Sequence, residues 1–285
     1  MIRFALEDDL PALKALWQEA FEADAREAEF YFRHRHRQEN MLVALSGRQV
    51  AGMLSMLPLD LNANGLVLPA RYVFAVATFK AFRGQGISTG LLKAAHAHMR
   101  KTGAAASVLV PATPGLFDFY GKRGYETLFY LDSLRLSPSD MEKAPSGARI
   151  TPLSAPQYLR LRNQAFSRSA LYARWNQEAL SFIIDGLNEP GAGGALHIET
   201  PQGEAGCLYE RRDGGVRVTE LALGDMPWQS ALAALHQRLN APAYTLRMPR
   251  GSLPGADQLP FGMIHWFAGP PALSGEAPYL SLAKD

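Results

Sequence analysis

The stretch with the clearest chemical content is Val73-Phe-Ala-Val-Ala-Thr-Phe-Lys-Ala-Phe-Arg-Gly-Gln-Gly-Ile-Ser-Thr-Gly90. An apolar strand ends at Thr78, a short loop carries Lys80 and Arg83, and Gly84-Gln85-Gly86 opens a helix. Backbone N–H groups at a helix start point outward and carry the positive end of the helix dipole. Glycine has no Cβ, so a ligand can approach the backbone closely, and Arg83 adds a fixed positive charge. These features suit a diphosphate. Two familiar phosphate motifs fit poorly. A Walker A loop needs Lys-Ser/Thr after its last glycine, where this chain has Ile87-Ser88. A dinucleotide fingerprint needs a third glycine, where Thr89 stands, and an acidic residue about 20 positions on. The span Ala105 to Pro111 contains none.

A second motif, Phe119-Tyr120-Gly121-Lys122-Arg123-Gly124-Tyr125, follows some thirty residues later. The two motifs in this order, after an apolar strand, resemble the GNAT superfamily of acyl-CoA-dependent N-acetyltransferases. The resemblance covers Met1 to Leu136 and departs at Ser88, where glycine or alanine is commoner. It implies direct attack of an amine on the thioester of acetyl-CoA. Val76, Ala77 and Thr78 would bind pantetheine on a strand splayed from its neighbour, with an N–H near Val76 facing the thioester oxygen. Arg83, Gly84, Gln85, Gly86, Ile87, Ser88 and Thr89 would hold the pyrophosphate. Tyr120 stands where the family places its general acid, and a phenol is protonated at neutral pH as that role requires. The base stays unassigned among Asp24, Glu27, Glu29, His34 and His36. No metal ligand set is expected.

The span from Ser137 to Pro156 holds four prolines and reads as a linker. Before it, strands are expected at Ile2–Leu6, Met41–Leu45, Val50–Leu57, Tyr72–Thr78, Ser107–Val110 and Tyr125–Leu136. Helices are expected after a cap at Asp8, at Ala25–Arg37, at Gly86–Lys101 and at Pro114–Lys122. Asn64-Gly65 marks a hairpin. Beyond the linker the order returns: strands at Ile150, Leu196, Cys207, Val216, Tyr244 and Met263, with helices at Gln157, Gln177 and Pro227.

The expected fold is therefore α/β, two tandem GNAT-like domains, each a mixed, splayed sheet flanked by helices. Residues 1–140 form the catalytic domain and 150–285 a degenerate copy without a CoA site that shapes the acceptor site. In the second copy the glycine loop is replaced by Gly224-Asp225-Met226-Pro227-Trp228, with Asp225 expected to cap the next helix. The arrangement resembles Eis-type proteins, whose extra sterol-carrier-like domain has no room here, so their aminoglycoside substrates are not carried over. In those proteins the terminal carboxylate enters the site; Asp285 is the equivalent group.

Composition sets the outer limits. The 285 residues carry 29 Lys+Arg against 27 Asp+Glu, a net charge of +2 that argues against a broad basic face for nucleic acid. One cysteine, Cys207, excludes an internal disulfide and fits a reducing, cytoplasmic compartment. No apolar run approaches the ~18 residues of a membrane span. The acceptor is expected to be a small-molecule or peptide amine, and homo-oligomerisation is left open. Two other functions are consistent with parts of the pattern: an acyl-CoA-binding pseudoenzyme, and a tandem aminoacyl-transferase working on charged tRNA, which the near-zero charge disfavours. Several residues have simpler structural readings. Tyr125 reads as a buried residue opening a strand, Cys207 as a small core residue, and Arg33 to Arg37 with His34 and His36 as a solvated helix end. His96 and His98, two apart on a helix, do not share one face.

Overall fold

A computed structural model describes every residue except Glu142, Ala144, Asp213, Ala283, Lys284 and Asp285. In chain order the elements are β1 (Ile2–Phe4), α1 (Leu10–Phe21), α2 (Ala25–His34), β2 (Met41–Ser46), β3 (Gln49–Ala63), β4 (Leu66–Thr78), α3 (Ile87–Lys101), β5 (Ala106–Leu109), α4 (Pro114–Gly121) and β6 (Glu126–Leu136). They continue with β7 (Arg149–Pro152), α5 (Ala155–Ala165), β8 (Leu171–Arg174), α6 (Gln177–Leu187), β9 (Gly193–Thr200), β10 (Gly203–Arg212), β11 (Gly215–Leu223), α7 (Trp228–Leu239), β12 (Tyr244–Pro249) and β13 (Asp257–Trp266). The short strand β8 has no counterpart in the sequence reading. The expected linker contains regular structure: a 3₁₀ turn over Pro138–Asp140, β7 and the start of α5 fall within it.

The chain packs as two compact α/β units. The first comprises Met1–Asp60, Leu68–Glu126 and Met263–Pro270; the second comprises Leu61–Val67, Thr127–Gly262 and Pro271–Asp285. In the first unit β1, β2 and β3 are antiparallel, β4 follows, and β5 runs parallel to β4. The antiparallel strand beyond β5 is Met263–Trp266 of β13, with Met263 opposite Leu109 and Trp266 opposite Ala106. In the second unit the order is β7-β9-β10-β11-β12-β6, with β11 and β12 parallel and Tyr244 opposite Leu136.

These units differ from a linear division at 1–140 and 150–285. The strand Tyr125–Leu136, expected to finish the first sheet, pairs instead with β12 as β6. The strand at Met263, expected to finish the second, pairs with β5. Each parallel pair is thus closed by the strand that chain order assigns to the other unit. Local pattern establishes that a segment is a strand; its partner is a non-local choice that periodicity does not carry.

Two helix caps also differ from expectation. Asp9, not Asp8, organises the entry to α1: its carboxylate accepts from Leu6 N–H at 2.7 Å and pairs with Arg3 at 2.6 Å. That partner holds the Asp9 carboxyl below the usual carboxylate range. At α7 the N-cap residue is Pro227, no side chain caps it, and Asp225 is exposed. Asp225 lies two residues too early to reach the free N–H groups of the first turn.

The second unit has a polar knot in its core. Arg162 and Glu220 are fully buried and pair at 2.9 Å, Tyr158 donates to the same Glu220 oxygen, and Arg162 donates to Ala173 O. Trp175 donates to Ser281 O at 3.1 Å, which anchors the segment after Pro271 to this unit.

Candidate active site

Pairing between β4 and β5 ends at Tyr72 opposite Val108. Beyond it β4 continues for six residues, Val73 to Thr78, without β5 beside it. Within that stretch Ala75 has φ +52°, a left-handed conformation that a side chain disfavours. Its effect is visible in the packing. Val73 and Val76 both face the core beneath α3 although they are three apart, whereas Phe74 turns to the other face, against Trp17 and Tyr31. Alternation in a strand has period two, so the odd spacing marks one inserted residue, a β-bulge. A bulge bends its strand and leaves backbone groups unpaired, which is what an extended ligand needs in order to add beside β4.

The loop after Thr78 delivers the chain to α3. Gly84 and Gly86 have φ of +79° and +74°, and nothing lies within 4 Å of the place where a Cβ would sit on either. Gly86 has no side chain to cap the helix, and the first helical bond is Gly90 N–H to Gly86 O. The N–H groups of Ile87, Ser88 and Thr89 therefore face outward without intrahelical acceptors. Arg83 is exposed and folds its Nε onto Thr78 O at 3.2 Å. Gln85 is exposed between the glycines. Ser88, the departure from the commoner glycine or alanine, is accommodated by the Thr78 hydroxyl. Gly52 on β3 completes the arrangement, because a Cβ there would meet Ile87 Cγ2 at 2.7 Å and Ala77 O at 2.9 Å. Only glycine lets β3, β4 and the start of α3 come so close.

Tyr120, near the end of α4, packs into the same core beneath α3 and is 7% exposed. Its hydroxyl has no hydrogen-bond partner among the described residues. Burial pushes the phenol up to about 12, with Arg123 acting in the opposite direction. Arg123 stacks its guanidinium 3.5 Å over the Phe119 ring, donates to Phe119 O, and reaches Thr89 Oγ1 at 2.6 Å. It ties the end of α4 to the first turn of α3, a role that its place in the second motif did not reveal.

Tyr125 is a buried residue just before β6, and its hydroxyl meets Ser107 Oγ at 2.6 Å and His96 Nε2 at 2.9 Å. The His96 ring stacks on His265 at 4.5 Å, and burial, then His265 and Arg100, lower His96 to about 4. His265 Nδ1 donates to Gly124 O at 2.7 Å.

The carboxylates and imidazoles considered for the base are mostly engaged. Asp24 caps α2 through Glu27 N–H, Glu29 pairs with Lys14, and His34 lies against Phe30. The end of α2 is not a solvated face throughout. Arg35 and His36 are buried because both N–H groups turn back onto Tyr31 O, leaving Arg33, His34 and Arg37 outside. Asp285 lies outside the described residues.

Residues 1–128 match the family model for the acetyltransferase (GNAT) domain. These residues form a GNAT domain. Members of that family transfer an acyl group from acyl-CoA to an amine, and acetyl-CoA is the family's cosubstrate. Solved structures extend the likeness of fold to the rest of the chain. A GCN5-related N-acetyltransferase from Anabaena variabilis ATCC 29413 is similar over 93% of this chain and 72% of its own, at 20% identity and a TM-score of 0.75. One from Kribbella flavida matches over 93% and 70%, at 18% and 0.74. Eis1 from Mycobacterium abscessus matches over 93% and 73%, at 12% and 0.69. No curated protein matches the chain by sequence. No helix is long and apolar enough to cross a membrane among the described residues.

The segment Gly224 to Trp228 of the second unit, compared in the sequence analysis with the glycine loop, is built differently from it. Gly224 N–H donates to Glu204 O at 2.9 Å, Met226 is buried in the core, and Pro227 has no N–H. Cys207 is fully buried, and burial alone pushes its thiol up to about 12, which suits a core residue and not a nucleophile.

Proposed function

We propose that this protein is an N-acetyltransferase that moves the acetyl group of acetyl-CoA onto a primary amine by direct attack, with Tyr120 as general acid. The observation that carries this reading is the open left-handed pair Gly84 and Gly86 at the start of α3, beside a bulged end of β4 that β5 does not cover. The loop N–H groups and Arg83 take the pyrophosphate, and Val76 to Thr78 take the pantetheine through backbone bonds.

In the reaction the amine nitrogen bonds to the thioester carbon, a backbone N–H near Val76 meets the growing oxyanion, and the C–S bond breaks. The sulfur takes the Tyr120 proton, and the proton lost by nitrogen passes to solvent, from which the Tyr120 phenolate is reprotonated, so no net charge is left. A phenol near 12 holds its proton at neutral pH. A free thiol near 8.5 would accept it uphill, by roughly 4–5 kcal/mol at ~1.4 kcal/mol per unit. The same dry surroundings that raise the phenol also raise a thiolate, as Cys207 illustrates within this chain, so the two approach each other.

We further propose that the second unit is a non-catalytic copy and that the acceptor is a small-molecule or peptide amine. Two measurements test the reading. Thiol release from acetyl-CoA across a panel of amines should be amine-dependent; release with none of them, despite tight CoA binding, would favour the pseudoenzyme. Calorimetry should give one CoA per chain, and a stoichiometry of two would overturn the assignment of the second unit.

A further inference from the structure

A cavity of about 530 Å³ opens in the first unit at the end of the sheet away from the glycine loop. Arg71, on β4, lies seven residues before Thr78, about 23 Å at ~3.3 Å per residue of strand. His98, on α3, lies eleven residues beyond Ile87, about 16 Å at ~1.5 Å per residue. The cavity is therefore separate from the acyl-transfer site, although β4 and α3 serve both.

Its lining combines two chemistries. Phe4 and Met56 supply an apolar floor. Arg71 and Glu39 supply opposite charges on different elements, β4 and the turn between α2 and β2. Arg71 makes no hydrogen bond or ion pair among the described residues, and Glu39 makes no ion pair. Opposite charges that face one cavity without closing on each other complement a ligand that carries both. A guanidinium binds a carboxylate through two parallel N–H bonds, and a carboxylate binds an ammonium. Gln38 and Asn40 flank Glu39 with further donors and acceptors. The volume falls in the range of small-molecule sites.

We infer that this cavity binds a free α-amino acid with an apolar side chain, its carboxylate on Arg71, its ammonium on Glu39 and its side chain on Phe4 and Met56. The site has no part in the proposed acyl transfer and would stand if that reading failed.

The test is calorimetry of the full chain saturated with free CoA, which permits no acetyl transfer. Leucine, methionine and phenylalanine are the probes; leucinamide lacks the carboxylate and 4-methylpentanoate lacks the ammonium. At least one amino acid should bind saturably at one per chain, and both truncated analogues should bind about tenfold or more weakly, as expected for loss of a charge-assisted contact. Arg71→Gln should weaken binding by a similar factor, Arg71→Lys by less, and neither should alter CoA affinity or the thermal midpoint. Should Arg71→Gln fold poorly, Glu39→Gln serves the same purpose from the opposite end of the ligand. The inference is overturned by absence of saturable binding at millimolar amino acid, by leucinamide binding as well as leucine, or by unchanged affinity in the folded variants.

Discussion

The Thr78 hydroxyl at the end of β4 lies 3.0 Å from the Ser88 hydroxyl in the first turn of α3. One bond thus joins the strand proposed to hold pantetheine to the helix start proposed to hold pyrophosphate. Because the backbone supplies the proposed phosphate contacts, Ser88→Ala should cost stability rather than recognition. The expected loss is about 1 kcal/mol by chemical denaturation, with acetyl-CoA affinity changed by less than about fivefold. A large loss of affinity with unchanged stability would assign Ser88 a direct ligand contact instead.

Gly86→Glu should abolish acetyl-CoA binding. The substitution places a carboxylate in the open space above the loop and forces a side chain into φ +74°. The backbone strain alone is worth about 1–2 kcal/mol. Gly86→Ala carries the strain without the charge, so it should bind weakly where Gly86→Glu does not bind. Unchanged affinity in a folded Gly86→Glu protein sinks the site.

Tyr120→Phe and Tyr125→Phe should fail in different ways. The Tyr120 hydroxyl makes no bond among the described residues, so its removal should leave stability and acetyl-CoA affinity near wild type. Turnover should fall by about 10²–10⁴ where chemistry limits the rate. Removal of the Tyr125 hydroxyl strips a partner from buried Ser107 and His96, and should cost about 1–3 kcal/mol of stability. Equal turnover in wild type and Tyr120→Phe removes the acid role.

The stacked pair His96 and His265 predicts an acid-sensitive fold. In the folded protein His96 titrates near 4, against 6.5 when unfolded, so the unfolded chain binds the extra proton between those values. Stability should therefore be full above pH 6.5 and decline as pH falls toward 4. This single proton sets a slope of at most about 1.4 kcal/mol per pH unit. His36 is lowered in the same direction by burial and adds to the wild-type slope. His96→Gln should flatten the curve in that window; an unaltered slope would show that His96 is not its source.

Much of the chemistry was legible in the residues themselves. The order strand, glycine loop and helix is local, and Arg83 to Ser88 with Tyr120 to Tyr125 is specific enough to name a family. The helix starting at Gly86 and the Asn64-Gly65 hairpin follow from local backbone preferences, and Asn64 and Gly65 both adopt positive φ. What the tertiary structure alone decided is non-local. Alanine does not advertise a left-handed conformation, so the bulge at Ala75 is imposed by the packing of Val73 and Val76 on one face and Phe74 on the other. Arg123 is one cation among many until α4 is laid against α3 and Thr89. The closing strands, Met263–Trp266 beside β5 and β6 beside β12, read as strands in sequence but carry no local mark of their partners. Pairing energy comes from contacts across the fold, and chain order was the wrong guide to them.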